Sequence, residues 1–575
     1  MPAFTPALPR LTQAVLALFF SYSAAAQTPL EQVDVREQQR QQQRNHQLQQ
    51  QQDNSVDVRL PANQATPALR YGAEPQPCFV VGELRLAGDA AEHFDWALAA
   101  AGRDTQGAED PLFGHCVGTQ GINLAMSRVQ NAILARGFIT TRVLAAPQNL
   151  ATGVLTLTVV PGRIHAIRYA QPADSRLHAA NALPMQEGDL LNLRDIEQGL
   201  ENLKRVPSAE ADIRIEPASG EASRPGESDL VVQWQQGNPY RLTVTADDSG
   251  SQGTGVYQGS ITLSYDHLFT LNDLFYITHS QDMGGGADGE RGSEGNTWHY
   301  SIPFGYWLLA YTGSQSRYHQ QVAGASQTYQ YSGKSDSSEL KLSRLVYRDA
   351  VRKTTLSLKG WERGSSNQID DTEIEVQRRR MAGWELGASH REFIGPATLD
   401  LNLAYRRGTG ARNAMPAPEE PFGEGSSRPR WYLADAQLDA PFSLGGQKLR
   451  YNLAWRAQWN RNPLVPQDRF AIGSRYTVRG YNGESQLSAE RGWFVRNELG
   501  WQLAGQELYL GYDYGRVAGP SASMLLGQRL AGATLGVRGK VMRLGYELFV
   551  SQPFGQPEYM RTPRTTGGFS LNLQY

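Results

Sequence analysis

Leu449–Trp459, LRYNLAWRAQW, alternates without a break. Successive side chains of a strand point to opposite faces. Leu449, Tyr451, Leu453, Trp455, Ala457 and Trp459 therefore share one face, and Arg450, Asn452 and Arg456 share the other. Leu399–Tyr405 repeats the arrangement, with Leu399, Leu401, Leu403 and Tyr405 opposed to Asp400, Asn402 and Ala404. An apolar outside around a polar inside is the pattern of a transmembrane β-barrel with a wet lumen, whereas a soluble barrel shows the reverse.

Working outward from there, the alternation continues from Asn238 to the end of the chain. Sixteen such segments can be counted, the first at 240–247 and the last at 567–575. Links after even-numbered segments are short, and several after odd-numbered ones are long: 281–296, 319–334, 407–430, 460–491 and 551–566. An even strand count with short turns at one end and long loops at the other is expected of an outer-membrane barrel. The chain closes on Phe569-x-Leu571-x-Leu573-x-Tyr575, an apolar face with an aromatic terminus of the kind that barrel-assembly machinery reads. The expected fold class is mainly β, with a 16-stranded transmembrane β-barrel over 237–575. The 58 glycines and 25 tyrosines suit many turns and aromatic girdles. A formal net charge of −2 gives no reason to expect nucleic acid as a partner, while the apolar face requires outer-membrane lipid.

The N-terminal part differs. Residues 1–26 read as a secretory signal, with Arg10, the apolar run Leu11–Phe20 and Ala24-Ala25-Ala26 before Gln27. That run is too short to span a bilayer. In residues 27–52, Thr28-Pro29-Leu30-Glu31 is a capping box with proline at the first helical position. The helix it starts is polar nearly all round. That fits either a disordered glutamine tract or a helix lodged in a water-lined channel. Residues 53–77 carry Pro61, Pro67, Pro75 and Pro77 without periodicity and read as an extended linker.

Residues 78–161 read as a compact β-α-α-β-β module, with helices at Phe94–Ala101 and Gln120–Arg136. Residues 162–236 repeat the plan, with helices at Ser175–Leu183 and Leu193–Lys204. Cys78 and Cys116 are the only cysteines of a chain read as exported, so a disulfide is expected. On the chain-entropy account it contributes about 4 kcal/mol. Exposed sheet edges on two small modules suit capture of an extended chain by strand addition.

The longest link, 460–491, is the sixth on the long-loop side and carries Phe470–Tyr481, FAIGSRYTVRGY. Within it stand Val478, Arg479, Gly480 and Tyr481. Two strands later, alternation in Glu507–Gly515 sends Leu508, Leu510, Tyr512 and Tyr514 to lipid and Tyr509, Gly511 and Asp513 to the lumen. Gly511 leaves room beside Asp513. The loop is thus expected to fold inward and pair Arg479 with Asp513 through the bidentate guanidinium fork. Arg496 and Glu498 of the twelfth strand are expected further members of the network. No catalytic site, metal or cofactor is expected. Gly333-Lys334-Ser335 lacks the first glycine of a phosphate loop, Thr328 standing in its place, and the histidines form no HExxH or triad-like group.

This order of parts resembles the TpsB transporters of two-partner secretion, a ShlB/FhaC/HecB-like family within the POTRA-plus-barrel superfamily. The likeness covers essentially the whole mature chain. Its specific pieces are Gly137–Val143 (GFITTRV), Leu191–Gln198 (LNLRDIEQ), the VRGY loop and the GYDYG strand. The resemblance implies that 78–161 and 162–236 are periplasmic POTRA modules binding one large exported TpsA-type partner (an adhesin, a haemolysin or a contact-dependent toxin) while it is unfolded. The partner would cross the barrel as an extended chain. Helix 27–52 would plug the resting pore, and the Arg479–Asp513 loop would keep the barrel competent. Two alternatives are a BAM-like insertase, whose members carry more POTRA modules, and a passive porin or receptor, which needs none.

Overall fold

The computed structural model describes residues 30–52, 56–61, 70–104, 107–219, 224–324, 326–525, 527–558 and 560–575. The expected signal, the Thr28–Pro29 helix start and residues 53–55 and 62–69 of the linker lie outside the described residues. Among those described, no helix is long and apolar enough to cross a membrane.

Sixteen long antiparallel strands and a two-residue spur, Thr372–Glu373, close into a barrel. The first strand, Tyr240–Asp247, pairs with the last, Thr566–Gln574. Polar lumenal residues meet in cross-strand ion pairs. Arg456 Nε lies 2.5 Å from Asp435, Arg391 Nε 2.6 Å from Asp400 and Arg406 Nη2 2.6 Å from Glu385. On the opposite face Leu401 and Leu403 are exposed, as lipid-facing side chains are in a protein viewed without its bilayer.

The strands run farther than apolar alternation indicates. Trp307–Ala323 and Thr328–Arg348 pass through 319–334, leaving only a hairpin tip where a loop is expected. Once a hairpin leaves the bilayer neither face needs to be apolar, so the ladder of hydrogen bonds continues while the hydrophobic period that marks it disappears.

The two N-terminal modules each have a three-stranded sheet. In the first, Gly82 splits the leading segment into Phe79–Val80 and Glu83–Gly88. The short Phe79–Val80 pairs with Cys116–Val117 beside the Cys78–Cys116 disulfide. In the second module the helix expected at Ser175–Leu183 is absent and the segment forms turns. Its polar groups bind the barrel instead: Asn181 Nδ2 donates to Pro303 O at 3.0 Å, and Asn181 O accepts from Gly305 N at 2.8 Å.

A clamp joins this module to the barrel through the linker. Val58 N donates to Glu201 at 2.8 Å and Leu60 N to Glu197 at 2.7 Å, both carboxylates lying on helix Leu193–Leu203. Arg348, at a periplasmic strand end, reaches Glu197 at 3.0 Å, Glu201 at 2.9 Å and Val58 O at 2.6 Å. Lys353 and Arg391 each lie 2.7 Å from Asp57. Burial opposes ionisation of Asp57, but these two cations outweigh it and hold its carboxyl below the ordinary aspartate value, so the clamp stays charged at neutral pH.

Candidate functional site

The segment 461–490 does not stay outside the barrel. It folds back on itself through a short hairpin, Phe470–Ile472 against Leu487–Ala489. Its apolar side chains Ile472, Val478, Tyr481 and Leu487 pack with Phe494, Val517 and Leu530 of the wall. Burying that cluster inside a polar lumen gives the loop its own small core, which sets the position of the VRGY turn.

Arg479 is held on three sides. Its Nε and Nη2 each donate to Asp513 at 2.7 Å, one to each carboxylate oxygen, and its backbone N donates to the same carboxylate at 3.0 Å. Nη1 donates to Glu498. Asp513 is fully buried, and Arg479 is 3% exposed. Glu498 is therefore a direct partner of Arg479, not an outer member of the network. Arg538 reaches Glu498 at 2.9 Å and also pairs with Glu507. Arg496, on the same strand as Glu498, lies farther off, 3.5 Å from Glu498 and 4.0 Å from Asp513.

The wall behind the loop is made of glycines. A Cβ on Gly511 would lie 2.5 Å from Arg479 Nη2, one on Gly515 2.8 Å from Val478, and one on Gly532 1.9 Å from Arg479 O. Gly480 adopts φ +101°, a left-handed conformation that lets the chain turn against Gln552. Gly532→Val is thus expected to push the loop off the wall with every charge intact. Secretion of the exported partner should fall nearly as far as on removing Arg479, while heat-modifiable gel mobility still reports an inserted barrel.

Arg475, four residues before Arg479, is also a loop anchor that the VRGY reading passes over. It lies 2.7 Å from Asp248, which also accepts from Phe569 N at 3.0 Å. Asp248 follows the first strand and Phe569 sits on the last, so Arg475 ties the loop to the seam where the barrel closes. The signal was a second arginine in the same twelve-residue stretch. Its partner was unreadable because Asp248 lies beyond an end of the alternating run.

The helix Leu30–Gln52 is bonded to this loop and to the lumenal wall. Arg36 pairs with Glu484 at 3.4 Å, and Arg40 donates to Gly483 O at 3.1 Å. Lower down, Gln49 donates to Thr312 at 3.1 Å and Gln52 accepts from Ser264 at 3.1 Å. Val33 packs on Tyr318 and Tyr331. The polar surface is thereby satisfied by lumenal groups. Beside the helix, a cavity of about 490 Å³ remains, lined by Gln43, His46, Glu385, Arg406, Asp435 and Arg456 among others.

Comparison with known proteins accords with this architecture. Residues 226–539 match the family described as haemolysin secretion/activation protein ShlB/FhaC/HecB. Residues 100–162 match the ShlB-type POTRA domain and 163–217 a further POTRA domain. The chain is 36% identical to the outer membrane transporter CdiB-2 of Burkholderia pseudomallei over 96% of its own length and 95% of the relative's. It is 26% identical to the hemolysin transporter protein ShlB of Serratia marcescens, over 80% of this chain and 79% of that one. The solved structure of CdiB from Acinetobacter baumannii superposes with a TM-score of 0.81 at 30% identity, covering 96% of this chain and all of that one. With its periplasmic POTRA modules, closed 16-stranded barrel and inward-folded loop, the chain belongs to the ShlB/FhaC/HecB family of outer-membrane transporters, which secrete a large partner protein by two-partner secretion.

Proposed function

We propose that helix Leu30–Gln52 plugs the resting lumen and that the inward loop, anchored by Arg479 on Asp513, holds the barrel in the conformation through which the unfolded partner passes. One observation carries this reading: the plug and the anchor meet on a single loop. Arg36 and Arg40 of the helix bind Glu484 and Gly483, a few residues from Arg479. A movement of the helix is therefore felt by the loop without a change at Asp513.

On this reading the chain divides into a plug helix (27–52), a linker (53–77), two POTRA modules (78–161 and 162–236) and the barrel (237–575). The modules take the unfolded TpsA-type partner at their sheet edges. The identity to CdiB transporters favours a partner of the kind those proteins carry over a haemolysin. Phe569–Tyr575 serves as the address read by the barrel-assembly machinery, and outer-membrane lipid covers the apolar face.

Tethering the helix tests the plug. Gln49→Cys and Thr312→Cys, joined by a short cross-linker in intact cells, are expected to stop partner secretion, and a cleavable linker should restore it on reduction. Undiminished secretion with the cross-link complete would refute displacement of the helix.

A further inference from the structure

Around the outer end of the barrel, six consecutive strands each present one outward arginine. They are Arg407 at the end of Ala397–Thr409, Arg430 at the start of Arg430–Leu444 and Arg461, one residue beyond Gln447–Asn460. The series continues with Arg491 of Arg491–Leu503, Arg516 of Gln506–Ala518 and Arg529 of Arg529–Val541. All six side chains are exposed. Two residues farther into the bilayer on the same face stand Tyr405, Tyr432, Trp459, Trp493 and Tyr514, with Ala531 on the sixth strand. These rings form a girdle: Tyr405 and Tyr432 have centroids 5.0 Å apart, and Trp493 and Tyr514 5.5 Å apart.

The arginines stand against one another. Arg407 is directly opposite Arg430, and Arg516 directly opposite Arg529, while Arg461 N donates to Arg430 O at 2.7 Å. Like charges at opposed positions destabilise a sheet. Two other outward cations do have carboxylate partners: Arg412 has Glu362 at 2.8 Å and Arg352 has Glu392 at 3.1 Å. Among the described residues no carboxylate pairs with any of the six, and the nearby Glu490 turns inward toward Arg469 and Ser521. Arg461 instead lies over the ring of Tyr432, 5.4 Å from its centroid. Aromatic rings at the bilayer interface place the guanidinium groups at headgroup level.

We propose that this arc is a binding site for a phosphorylated glycolipid of the outer leaflet, the acyl chains lying along Leu403, Leu499 and Leu510 and the headgroup phosphates bridging Arg407, Arg430 and Arg461. Guanidinium forks match phosphate oxygens bidentately. Phosphate neutralises the opposed arginines, and the girdle supplies the apolar floor. The occupant is a lipid because the cations sit directly above rings that face the bilayer, not in a pocket open to water alone.

The test uses the full-length transporter in detergent, with lipopolysaccharide carrying both lipid A phosphates as the probe and retention on the immobilised protein as the readout. Dephosphorylated lipopolysaccharide and inorganic phosphate form the other arms. The phosphorylated probe should bind best. Replacing Arg407, Arg430 and Arg461 together by Gln should lower its affinity about tenfold or more, since each interfacial cation contributes a few-fold. Equal binding of the dephosphorylated lipid would assign retention to the girdle alone and overturn the proposal. So would inorganic phosphate displacing the lipid at equal phosphate concentration, which would make the arc a free-anion site. The comparison of probes on the unaltered protein holds even if the triple variant fails to insert.

Discussion

Arg479→Ala is expected to abolish secretion of the partner while the barrel still assembles in the outer membrane. The substitution removes a cation hydrogen-bonded to both Asp513 and Glu498, with Arg496 farther off, and Asp513 is a fully buried carboxylate. Breaking a buried ion pair by deleting one member costs about 3–5 kcal/mol where the site is dry, and the hydrated lumen beside it reduces that figure. The loss falls on the loop, whose apolar cluster is small, and not on the ladder of hydrogen bonds that closes the barrel. Arg479→Lys should rescue only weakly, because a single ammonium cannot replace a fork that contacts both oxygens of Asp513 and reaches Glu498 as well. Immunoblotting of the partner in the medium, with heat-modifiable mobility of the transporter as the control for insertion, measures both quantities. Wild-type secretion by an inserted Arg479→Ala protein would remove the anchoring role.

Deleting residues 30–52 is expected to raise the single-channel conductance of the purified protein in planar bilayers several-fold. A helix of 23 residues is about 35 Å long, comparable to the roughly 30 Å hydrocarbon core of a bilayer, so its removal clears the lumen along its full depth. Glu484→Ala separates the plug from the anchor. It takes away the carboxylate that meets Arg36 and Arg40 and leaves Arg479 on Asp513, so conductance should rise while secretion persists. Unchanged conductance on deletion would contradict the plug. Raised conductance with secretion lost in Glu484→Ala would mean that the helix and the anchored loop cannot be uncoupled.

Parity did most of the reading at the candidate site. Alternation in Glu507–Gly515 assigns Asp513 to the lumen and Gly511 beside it, and the Arg479 guanidinium occupies that gap. Distance along the chain hid the rest. Gly532 touches Arg479 O, yet nothing in a strand of small residues marks which glycine faces a loop 53 residues earlier. Ser175–Leu183 reads as a helix because its local propensities allow one, and contact with a barrel turn decides otherwise.

The sequence by itself determined the barrel, its inside and outside, the order of its modules and the identity of the two groups that meet in the lumen. Those follow from a period of two residues and from the demand that lipid meets apolar side chains, both of which act locally. Only the tertiary structure decided how the polar helix is satisfied, that Glu498 shares the anchoring arginine, and that six arginines from separate strands form one arc. Each of these depends on contacts between segments, which bring side chains separated by tens or hundreds of residues to one wall, and strand register across that distance is written in hydrogen bonds no single segment reveals.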